Sequence, residues 1–598
     1  MEVKRIFDLF ELFEGQQDTL GKFTIGGKEN GNWVTYALPE YKQNSTNISY
    51  GLLASGLQKG DKVATITNNR PEWNFIEMGA AMCGCIHVPI HPTLSDEELI
   101  YILNHSESKI VLVSEKQLFT KLESFAERLT YKPTLYTFND VEGASNWKTL
   151  MQKGSDNAAQ YMAQLAQLKQ SAVEDDVFTI VYTSGTTGAS KGVMLTHKNI
   201  VHNAHESSKI LHLNYNHKAL SFLPLSHIFE HMVNYMWHFS GVSIYYAENL
   251  GTIVKDINDL QVDGFITVPR LLESIYDKIV AKSKTLSPVK QAIFKRAIQV
   301  AKNYKPYGSN PFYNLQLKLY RKLVFSKWLK VLSPNIKFIG CGGAALQPGL
   351  ARIFWAAGLP IFEGYGLSET SPIISVNYFK PDAVMLGTVG PILGGVEVKI
   401  AEDGEILTKG PCLMKGYYKD EALTKEAIDD DGWFHTGDIG ELVNGRFLKI
   451  TDRKKEIFKM SNGKYIAPQQ IENQLKESFY IQNSMIFGEN QKYAGAIILP
   501  NFANMTEWCK KHKLHFKTHH DMINLPQVVK HFENEVKHIN KRFNTVEQIK
   551  KFILIADEWS PHTGELSPSL KLKRKHICEK YRHMVEALYK PKPGASNE

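Results

Sequence analysis

The segment Tyr182–Gly192 has the residue types of a phosphate-binding loop. It reads Tyr-Thr-Ser-Gly-Thr-Thr-Gly-Ala-Ser-Lys-Gly and follows a predicted buried strand, Phe-Thr-Ile-Val-Tyr-Thr-Ser. Glycines let the backbone approach phosphate oxygens, while hydroxyl and N–H groups donate to them. Lys191 can add a point charge, but it is followed by glycine, so this is not a Walker A loop. A flexible surface loop is the alternative, and the composition favours phosphate binding.

A second chemically capable segment reads Gly-Tyr-Gly-Leu-Ser-Glu-Thr over residues 364–370. Glu369 lies in a turn rich in Gly, Ser and Thr, which is a poor place for a core residue. Its carboxylate could hold Mg²⁺, a hard cation that prefers oxygen ligands. Tyr365 offers a flat face for adenine, and Gly364 and Gly366 would clear the space around it. Taken alone, Tyr365 is better explained as a packed core tyrosine.

A third group of charged residues lies between 432 and 459. Asp438 follows Thr-Gly in a predicted turn, where its carboxylate can accept hydrogen bonds from a ribose diol, although a turn aspartate is usually a local cap. Arg453 can reach the same ribose or a phosphate. Lys455 and Lys459 are four apart and share one face if the segment is helical. The alternative for this basic cluster is a solvated hinge between domains.

Together these segments resemble the adenylate-forming superfamily, which includes acyl-CoA synthetases, luciferases and peptide-synthetase adenylation domains. The motifs follow the family's order: 182–192, 224–230 (Pro-Leu-Ser-His-Ile-Phe-Glu), 364–370, 432–438 (Gly-Trp-Phe-His-Thr-Gly-Asp) and 452–459 (Asp-Arg-Lys-Lys-Glu-Ile-Phe-Lys). The resemblance implies a magnesium site at Thr183 and Glu369. It also implies a nucleotide site made of Thr183, Ser184, Gly185, Thr186, Thr187, Gly188, Lys191, Gly343, Ala344, Gly364, Tyr365, Gly366, Ser368, Asp438, Arg453, Lys455 and Lys459.

The same resemblance implies three catalytic residues, which are Lys571, Glu369 and His227. His227 would line the place where the acyl carboxylate meets the α-phosphate, with a hydrogen-bonded structural histidine as the alternative. Family members carry a catalytic lysine near the C-terminus, often after glycine, and that Gly-Lys pair is absent here. The run Leu-Ser-Pro-Ser-Leu-Lys-Leu-Lys-Arg ending at 574 resembles the long-chain acyl-CoA synthetase variant. It predicts Lys571, with Lys573 as the alternative.

The elements that must position these residues alternate between strand and helix. Residues 63–67, 86–90 and 109–114 read as strands, with a helix starting at Pro71 and another capped at Ser95. This spacing predicts parallel βαβ units and an α/β fold. We expect a large N-terminal domain, residues 1–451, with two βαβ-type subdomains and a small β-barrel-like unit near 387–416. Residues 452–598 would form a small α+β lid domain, mobile about a hinge near Lys455 in this family.

Composition limits the class of protein. The 598 residues exceed a single core, and 43% hydrophobic with 22% charged residues is typical of a folded globular chain. Six scattered cysteines without metal-type spacing indicate a reduced, cytoplasmic location. The N-terminus lacks the pattern of a signal peptide, and no apolar run approaches the ~20 residues that span a bilayer.

The charge is uneven along the chain. Residues 281–334 contain ten lysines, two arginines and no acidic residue, whereas the whole chain carries +8. Acidic partners are expected, namely nucleotide phosphates, coenzyme A or an anionic membrane surface, and no nucleic acid. One interpretation is that this segment holds the protein on the inner face of the membrane. The other is that it forms a basic helical face exposed to solvent.

The resemblance implies ATP- and Mg²⁺-dependent activation of a carboxylic acid to acyl-AMP with release of pyrophosphate, followed by transfer to coenzyme A. The basic-aromatic insertion before Lys337 and the run 459–468 resemble long-chain fatty acyl-CoA synthetases. Three alternatives remain. They are a ligase that loads a carrier-protein thiol, a phosphotransferase or ATPase, and a nucleotide-binding scaffold without catalysis.

Overall fold

The computed structural model describes residues 2–16, 18–183, 190–249, 251–461, 464–560, 563–566 and 572–589. Its strands are β1 (Thr24–Glu29), β2 (Asn32–Ala37), β3 (Lys62–Ile66), β4 (Ile86–Ile90), β5 (Ser108–Val113), β6 (Thr134–Thr137), β7 (Val177–Thr183), β8 (Lys191–Thr196), β9 (Lys218–Ser221), β10 (Ser243–Tyr246), β11 (Gly264–Thr267), β12 (Phe338–Cys341), β13 (Ile361–Gly366), β14 (Ile373–Val376), β15 (Glu397–Ile400), β16 (Glu405–Lys409), β17 (Gly416–Tyr417), β18 (Phe434–Val443), β19 (Phe447–Arg453), β20 (Phe458–Lys459), β21 (Tyr465–Ile466), β22 (Ile481–Phe487), β23 (Ala494–Pro500) and β24 (Ile549–Leu554).

Its α-helices are α1 (Leu9–Gly15), α2 (Leu38–Ala54), α3 (Pro71–Met82), α4 (Asp96–Ser106), α5 (Lys116–Ser124), α6 (Trp147–Asp156), α7 (Ala158–Ser171), α8 (His197–Lys209), α9 (Ile228–Ser240), α10 (Ile253–Leu260), α11 (Pro269–Ser283), α12 (Pro288–Lys302), α13 (Pro311–Tyr320), α14 (Ser326–Val331), α15 (Pro348–Ala357), α16 (Glu421–Ala427), α17 (Pro468–Leu475), α18 (Phe502–Lys511), α19 (His519–Ile523), α20 (Pro526–Asn540), α21 (Arg574–Lys580) and α22 (Arg582–Tyr589). A π-helical turn, Arg321–Phe325, joins α13 to α14, and Ser368–Thr370 is a short 3₁₀ helix.

The predicted βαβ units form a seven-stranded sheet in the order β17-β8-β7-β4-β3-β5-β6. Strands β3 to β7 run parallel, which confirms the expected α/β architecture. Pro71 begins α3, and the Ser95 hydroxyl caps α4 with Glu98 closing the capping box, as the sequence predicts. Strands β8 and β17 extend this sheet in antiparallel fashion at one edge.

An eight-stranded sheet forms the second subdomain, in the order β14-β13-β12-β11-β9-β10-β1-β2. Its central strands are parallel, whereas β14 and β2 pair antiparallel at the two edges. A continuous hydrophobic core packs the two sheets together through members such as Phe178 on β7 and Ile244 on β10. Ligands in open parallel sheets bind beyond the carboxyl ends of the strands. Several predicted site residues lie at or just beyond the carboxyl ends of β7, β12 and β13, among them Thr183, Gly343 and Ser368.

The remaining strands form smaller units. The short strands expected near 387–416 belong to a four-stranded antiparallel sheet, β15-β16-β18-β19. Beyond it, β22, β23 and β24 form a small mixed sheet covered by helices, with a separate core that runs from Met460 to Tyr581. The fold therefore has a large N-terminal domain and a small C-terminal domain, as expected. Where one domain gives way to the other, predicted at 451/452, stays a prediction.

Candidate functional site

The predicted phosphate-binding segment is a β-hairpin whose two arms are β7 and β8. Thr183 pairs with Lys191 in the last pair of the ladder, where β7 ends and β8 begins. Residues 184–189 between them, including the predicted Ser184, Gly185, Thr186, Thr187 and Gly188, lie outside the described residues. The Lys191 ammonium lies over the ring of Tyr417, 5.2 Å from its centroid. Thr183 and Lys191 therefore stand where β7 reaches the carboxyl edge of the sheet.

Tyr417 joins this hairpin to the Glu369 segment. It pairs with Val193 on β8, and its hydroxyl donates to Glu369 Oε1 at 2.8 Å. The backbone N–H of Met414 donates to the carbonyl oxygen of Glu369, also at 2.8 Å. Burial, reinforced by the Glu369 carboxylate, raises the pKa of Tyr417 well above its usual value, so the hydroxyl keeps its proton. The arms of the loop and the segment 365–369 thus meet in one region.

Tyr365 connects the same region to Asp438. The tyrosine is on β13, and its hydroxyl donates to Asp438 Oδ2 at 2.7 Å. Burial and the neighbouring carboxylate raise the pKa of Tyr365 well above its usual value. The predicted role of Gly364 and Gly366 in clearing space for adenine stays a prediction, but Gly366 has a structural requirement of its own. At Gly366 an added Cβ would lie 1.5 Å from the carbonyl oxygen of Pro372, so close backbone packing requires that glycine.

Asp438 lies within β18 rather than in the predicted turn. Gly437 has a φ of +69°, and the register of β18 against β19 shifts just after Asp438, which explains the turn-like sequence inside a strand. Asp438 is 3% exposed and faces Arg453, whose Nε lies 3.1 Å from Asp438 Oδ1. The structure therefore brings Tyr365, Asp438 and Arg453 together.

Lys455 and Lys459 do not share a helical face, because the segment is not helical. Lys455 follows β19 in a turn closed by the Glu456 N–H and the Arg453 carbonyl oxygen, and Lys459 is on the short strand β20. The Lys459 ammonium lies 5.7 Å from the ring centroid of Tyr465. Neither lysine has a described contact with Tyr365 or Glu369, so their nucleotide contacts stay predictions.

Asp452 is a buried residue of this segment whose part sequence reasoning missed. Its Oδ2 accepts the backbone N–H of Gln469 at 3.0 Å, and Oδ1 accepts the N–H of Arg453 at 2.6 Å. Burial raises its pKa to about 7 despite these two hydrogen bonds. Asp452 therefore ties the end of β19 to the start of α17. The signal that could have found Asp452 is its position as the first residue of the motif 452–459.

The other wall of the site comes from β12 and α9. An added Cβ on Gly342 would lie 3.0 Å from the Phe229 ring, which places the Gly343–Ala344 segment beside the start of α9. His227 is the N-cap of that helix, and its Nδ1 accepts the N–H of Phe229 at 3.3 Å. Ser368 opens the 3₁₀ helix that carries Glu369. His227 thus has a structural capping contact as well as a location near the site.

A buried polar cluster holds α9 in place. Glu77 of α3 is hydrogen-bonded by His231, by His87 and by the Tyr235 hydroxyl at 3.0, 3.0 and 2.5 Å. Burial opposes ionisation, but the two imidazoles lower the pKa of Glu77 to about 2. His231 is one helical turn beyond His227, so this cluster anchors the helix that presents His227. Glu77 and His231 are 154 residues apart, and no local pattern signals their contact.

The predicted catalytic lysine, Lys571, lies outside the described residues. Leu566 and Leu572 pair on either side of it, and the N–H of Lys573 donates to the Glu565 carbonyl oxygen at 2.8 Å. The next residue, Arg574, contacts Glu456 at 2.9 Å and Glu472 through both terminal nitrogens. Arg574 therefore links the described residues after position 571 to Glu456, the residue that follows Lys455.

The residues present fit a magnesium ion that arrives with a nucleotide. Within the described ranges no three His, Cys, Asp or Glu side chains form a metal cluster. Mg²⁺ does not need one, because it keeps waters and is commonly held by one or two carboxylates together with substrate phosphates. Glu369 supplies a carboxylate and Thr183 a hydroxyl, which are oxygen donors of the required kind.

Comparisons with known proteins identify the family of the chain. A family model described as AMP-binding enzyme matches residues 17–418, and a model of the AMP-binding enzyme C-terminal domain matches residues 455–592. A long-chain-fatty-acid–CoA ligase of Mycobacterium bovis is 30% identical over 589 residues, covering 97% of this chain and 96% of its own. The peroxisomal long chain acyl-CoA synthetase 7 of Arabidopsis thaliana is 30% identical, covering 93% of this chain and 82% of its own.

Solved structures share the fold at lower identity. An anthranilate CoA ligase in complex with anthranoyl-AMP superposes with a TM-score of 0.71 at 15% identity, covering 97% of this chain and 98% of its own. ATP-bound MatB from Rhodopseudomonas palustris gives a TM-score of 0.69 at 19% identity, covering 98% and 100%. Two successive family models match most of the chain, relatives at 30% identity cover more than nine-tenths of it, and the fold is shared. The chain belongs to the AMP-binding enzyme family.

Proposed function

We propose that this protein is a long-chain-fatty-acid–CoA ligase. It joins a fatty acid to ATP, forming acyl-AMP and pyrophosphate, and then transfers the acyl group to the thiol of coenzyme A with release of AMP. The observation that carries the proposal is the convergence of the Thr183/Lys191 hairpin and Glu369 through Tyr417. The names of the relatives that match nearly the whole chain support the choice of a long-chain acid and of coenzyme A.

Each side chain has a role that follows from its chemistry. The hairpin and Lys191 would hold the phosphates, while Tyr365 and Asp438 would bind the adenine and the ribose. Glu369 and Thr183 would hold Mg²⁺, which when bound neutralises phosphate charge. His227 would line the path of the acyl carboxylate. The fatty acid carboxylate and the ATP phosphates are both negatively charged. The site must therefore position the carboxylate and neutralise the phosphate charge, and it needs no general base.

We also propose that residues 452–598 act as a lid that carries the catalytic lysine. Asp452, which hydrogen-bonds both Arg453 and Gln469, would then mark the hinge. We place the enzyme in the cytoplasm because of its scattered cysteines, and in peripheral contact with the inner face of the membrane because of the acid-free segment 281–334. Among the described helices, none combines the length and apolarity required to cross a bilayer.

The deciding experiment is ATP–pyrophosphate exchange measured across saturated fatty acids of graded length. We expect exchange to depend on the acid and to be greatest with long chains. Addition of free coenzyme A should then give acyl-CoA and AMP in equal amounts. Release of orthophosphate would point to an ATPase or phosphotransferase, and acyl-AMP that reacts only with a carrier-protein thiol would support the rival ligase.

Replacing Asp438 by asparagine tests the ribose contact. The variant keeps the shape of the side chain but loses the charge that accepts from Tyr365 and faces Arg453. We expect the KM for ATP to rise by about ten- to a hundredfold, the range of a lost charge-assisted hydrogen bond of ~1.5–3 kcal/mol.

Nucleotide analogues separate this role from a structural one. The natural enzyme should prefer ATP to 2′-deoxy-ATP or to 3′-deoxy-ATP, and the Asp438→Asn variant should lose most of that preference. Tyr365→Phe, which removes a hydroxyl contact to Asp438 but keeps the ring, is the matched control and should still discriminate. If Asp438→Asn retains full discrimination against both analogues, Asp438 does not bind the ribose.

A further inference from the structure

The basic segment of the sequence forms a helical layer on the surface of the N-terminal domain. Helix α12 packs against a long helix made of α13, the π-helical turn and α14. The inner side of this layer has its own small core, which includes Phe294, Leu317, Phe325 and Trp328 and reaches Ile353 on α15. This packing leaves the opposite side of the long helix facing outward.

Four large apolar side chains occupy that outward side. Phe312 is 77% exposed, Leu315 68%, Leu319 54% and Leu323 46%. Their spacing of three, four and four residues keeps them on one side of a helix, opposite the buried Leu317, Val324 and Trp328. We call these four residues the apolar stripe. It is about 16 Å long at 1.5 Å per helical residue.

Lysines border the apolar stripe. Lys318, Lys322, Lys327 and Lys330 are exposed on the same long helix, and no acidic residue occurs between 281 and 334. Among the described residues, none of these four lysines takes part in a salt bridge. Other cations of the segment are engaged, since Lys284 pairs with Glu507 and Arg321 donates to backbone carbonyl oxygens.

Soluble proteins rarely expose a contiguous apolar surface, and such a surface marks an interaction site. An apolar stripe flanked by lysines, without acidic residues, is the pattern of helices that lie in the interface of an anionic membrane. The charge therefore selects an anionic lipid surface over a second copy of this chain, which would bring the same positive charge to the contact.

We propose that the apolar stripe docks on an anionic phospholipid bilayer, with Phe312, Leu315, Leu319 and Leu323 at the acyl-chain boundary and the bordering lysines at the headgroups. This orientation sets α13 parallel to the membrane surface. Its use in collecting a fatty acid from the bilayer rests on the proposed function. The docking itself depends only on the apolar and charged side chains of the long helix.

Vesicle sedimentation of the full chain tests this docking. The probes are vesicles of phosphatidylcholine alone and of an equimolar mixture of phosphatidylcholine and phosphatidylglycerol. We expect binding to the anionic vesicles to be at least about tenfold stronger and to weaken as salt screens the lysines. Leu315→Glu/Leu319→Glu should lower this binding at least about tenfold. Lys318→Gln should lower it by about fivefold, the effect of one lysine near such a surface.

The matched control is Met162→Glu, because Met162 on α7 is 59% exposed, close to the value for Leu319. It should bind anionic vesicles like the natural protein. In the absence of vesicles, all variants should keep ATP–pyrophosphate exchange with a water-soluble, medium-chain acid. Loss of vesicle binding with retained exchange therefore separates this proposal from the proposed function.

Two results would overturn the proposal. One is equal binding of the natural protein and the Leu315→Glu/Leu319→Glu variant to anionic vesicles. The other is a natural protein that forms a dimer in solution, becomes a monomer in that variant, and does not bind vesicles. The second outcome would assign the apolar stripe to self-association.

Discussion

Replacing Lys571 by alanine is expected to slow formation of acyl-AMP by about 10²–10³-fold while leaving thioester formation from supplied acyl-AMP largely unchanged. The first half-reaction brings a carboxylate to a polyanionic nucleotide, so it needs a positive group at the reacting atoms. Loss of one preorganised donor at such a site typically costs this factor. The second half-reaction starts from a mixed anhydride whose pyrophosphate has already left, so less negative charge remains for the lysine to offset.

Two assays are needed for Lys571→Ala. Acid-dependent ATP–pyrophosphate exchange reports the first half-reaction, and acyl-CoA formation from synthetic acyl-AMP reports the second. Lys573→Ala is the matched control, because Lys573 is two residues away, carries the same charge and begins the anchored segment next to Arg574. It should retain most of the exchange activity. If Lys571→Ala loses both half-reactions equally, Lys571 is not the lysine of the adenylation step. If Lys573→Ala loses exchange activity selectively, Lys573 is that lysine.

The parts of the fold that could be predicted from the sequence are those that depend on interactions between residues close together in the chain. Pro71 starts α3 because its missing N–H is not needed in a first turn, and Ser95 with Glu98 closes a capping box within four residues. The strands around 63–67, 86–90 and 109–114 were correct to within one residue because each is a short apolar run between turn signals. Hydrophobic periodicity and helix capping involve residues only a few positions apart, so both can be recognised in a single sequence.

Contacts between distant segments had no such signal. Strand β1 pairs with β10 across 219 residues, Ile25 against Ile244, although β1 reads as a polar, glycine-containing segment. Glu77 holds two histidines and a tyrosine from other elements, and Tyr417 links Glu369 to the β7–β8 hairpin. These partners are specified by three-dimensional packing, so neither residue type nor spacing could identify them.

The motif segments illustrate the same limit at shorter range. Thr-Gly before Asp438 reads as a turn, yet the positive φ of Gly437 and a shift in register are accommodated inside β18. Lys455 and Lys459 have helical spacing, but Asp452 ties their segment to α17, and a turn and a short strand result. The residue types indicated the chemistry of the site, whereas the tertiary contacts determined the local conformation.

Replacing Glu369 by glutamine is expected to lower kcat/KM for adenylation by about 10²–10³-fold, or about 2.7–4 kcal/mol of transition-state stabilisation. The glutamine carbonyl oxygen can still accept the hydrogen bond from Tyr417, so the local structure should persist. What is lost is the negative charge that suits a hard divalent cation. The exchange rate should therefore be measured as a function of Mg²⁺ concentration, and higher Mg²⁺ should recover part of the activity.

Two further variants show whether the Mg²⁺ dependence belongs to Glu369 itself. Glu426→Gln removes an exposed carboxylate on α16 whose charge also acts on Tyr417, and it should behave like the natural enzyme. Tyr417→Phe removes the hydroxyl but keeps the Glu369 charge, so it should cost on the order of tenfold without changing the Mg²⁺ dependence. A Glu369→Gln enzyme with the natural Mg²⁺ dependence would show that this carboxylate holds no metal. The meeting of Glu369 with the β7–β8 hairpin would then serve only to pack Tyr417.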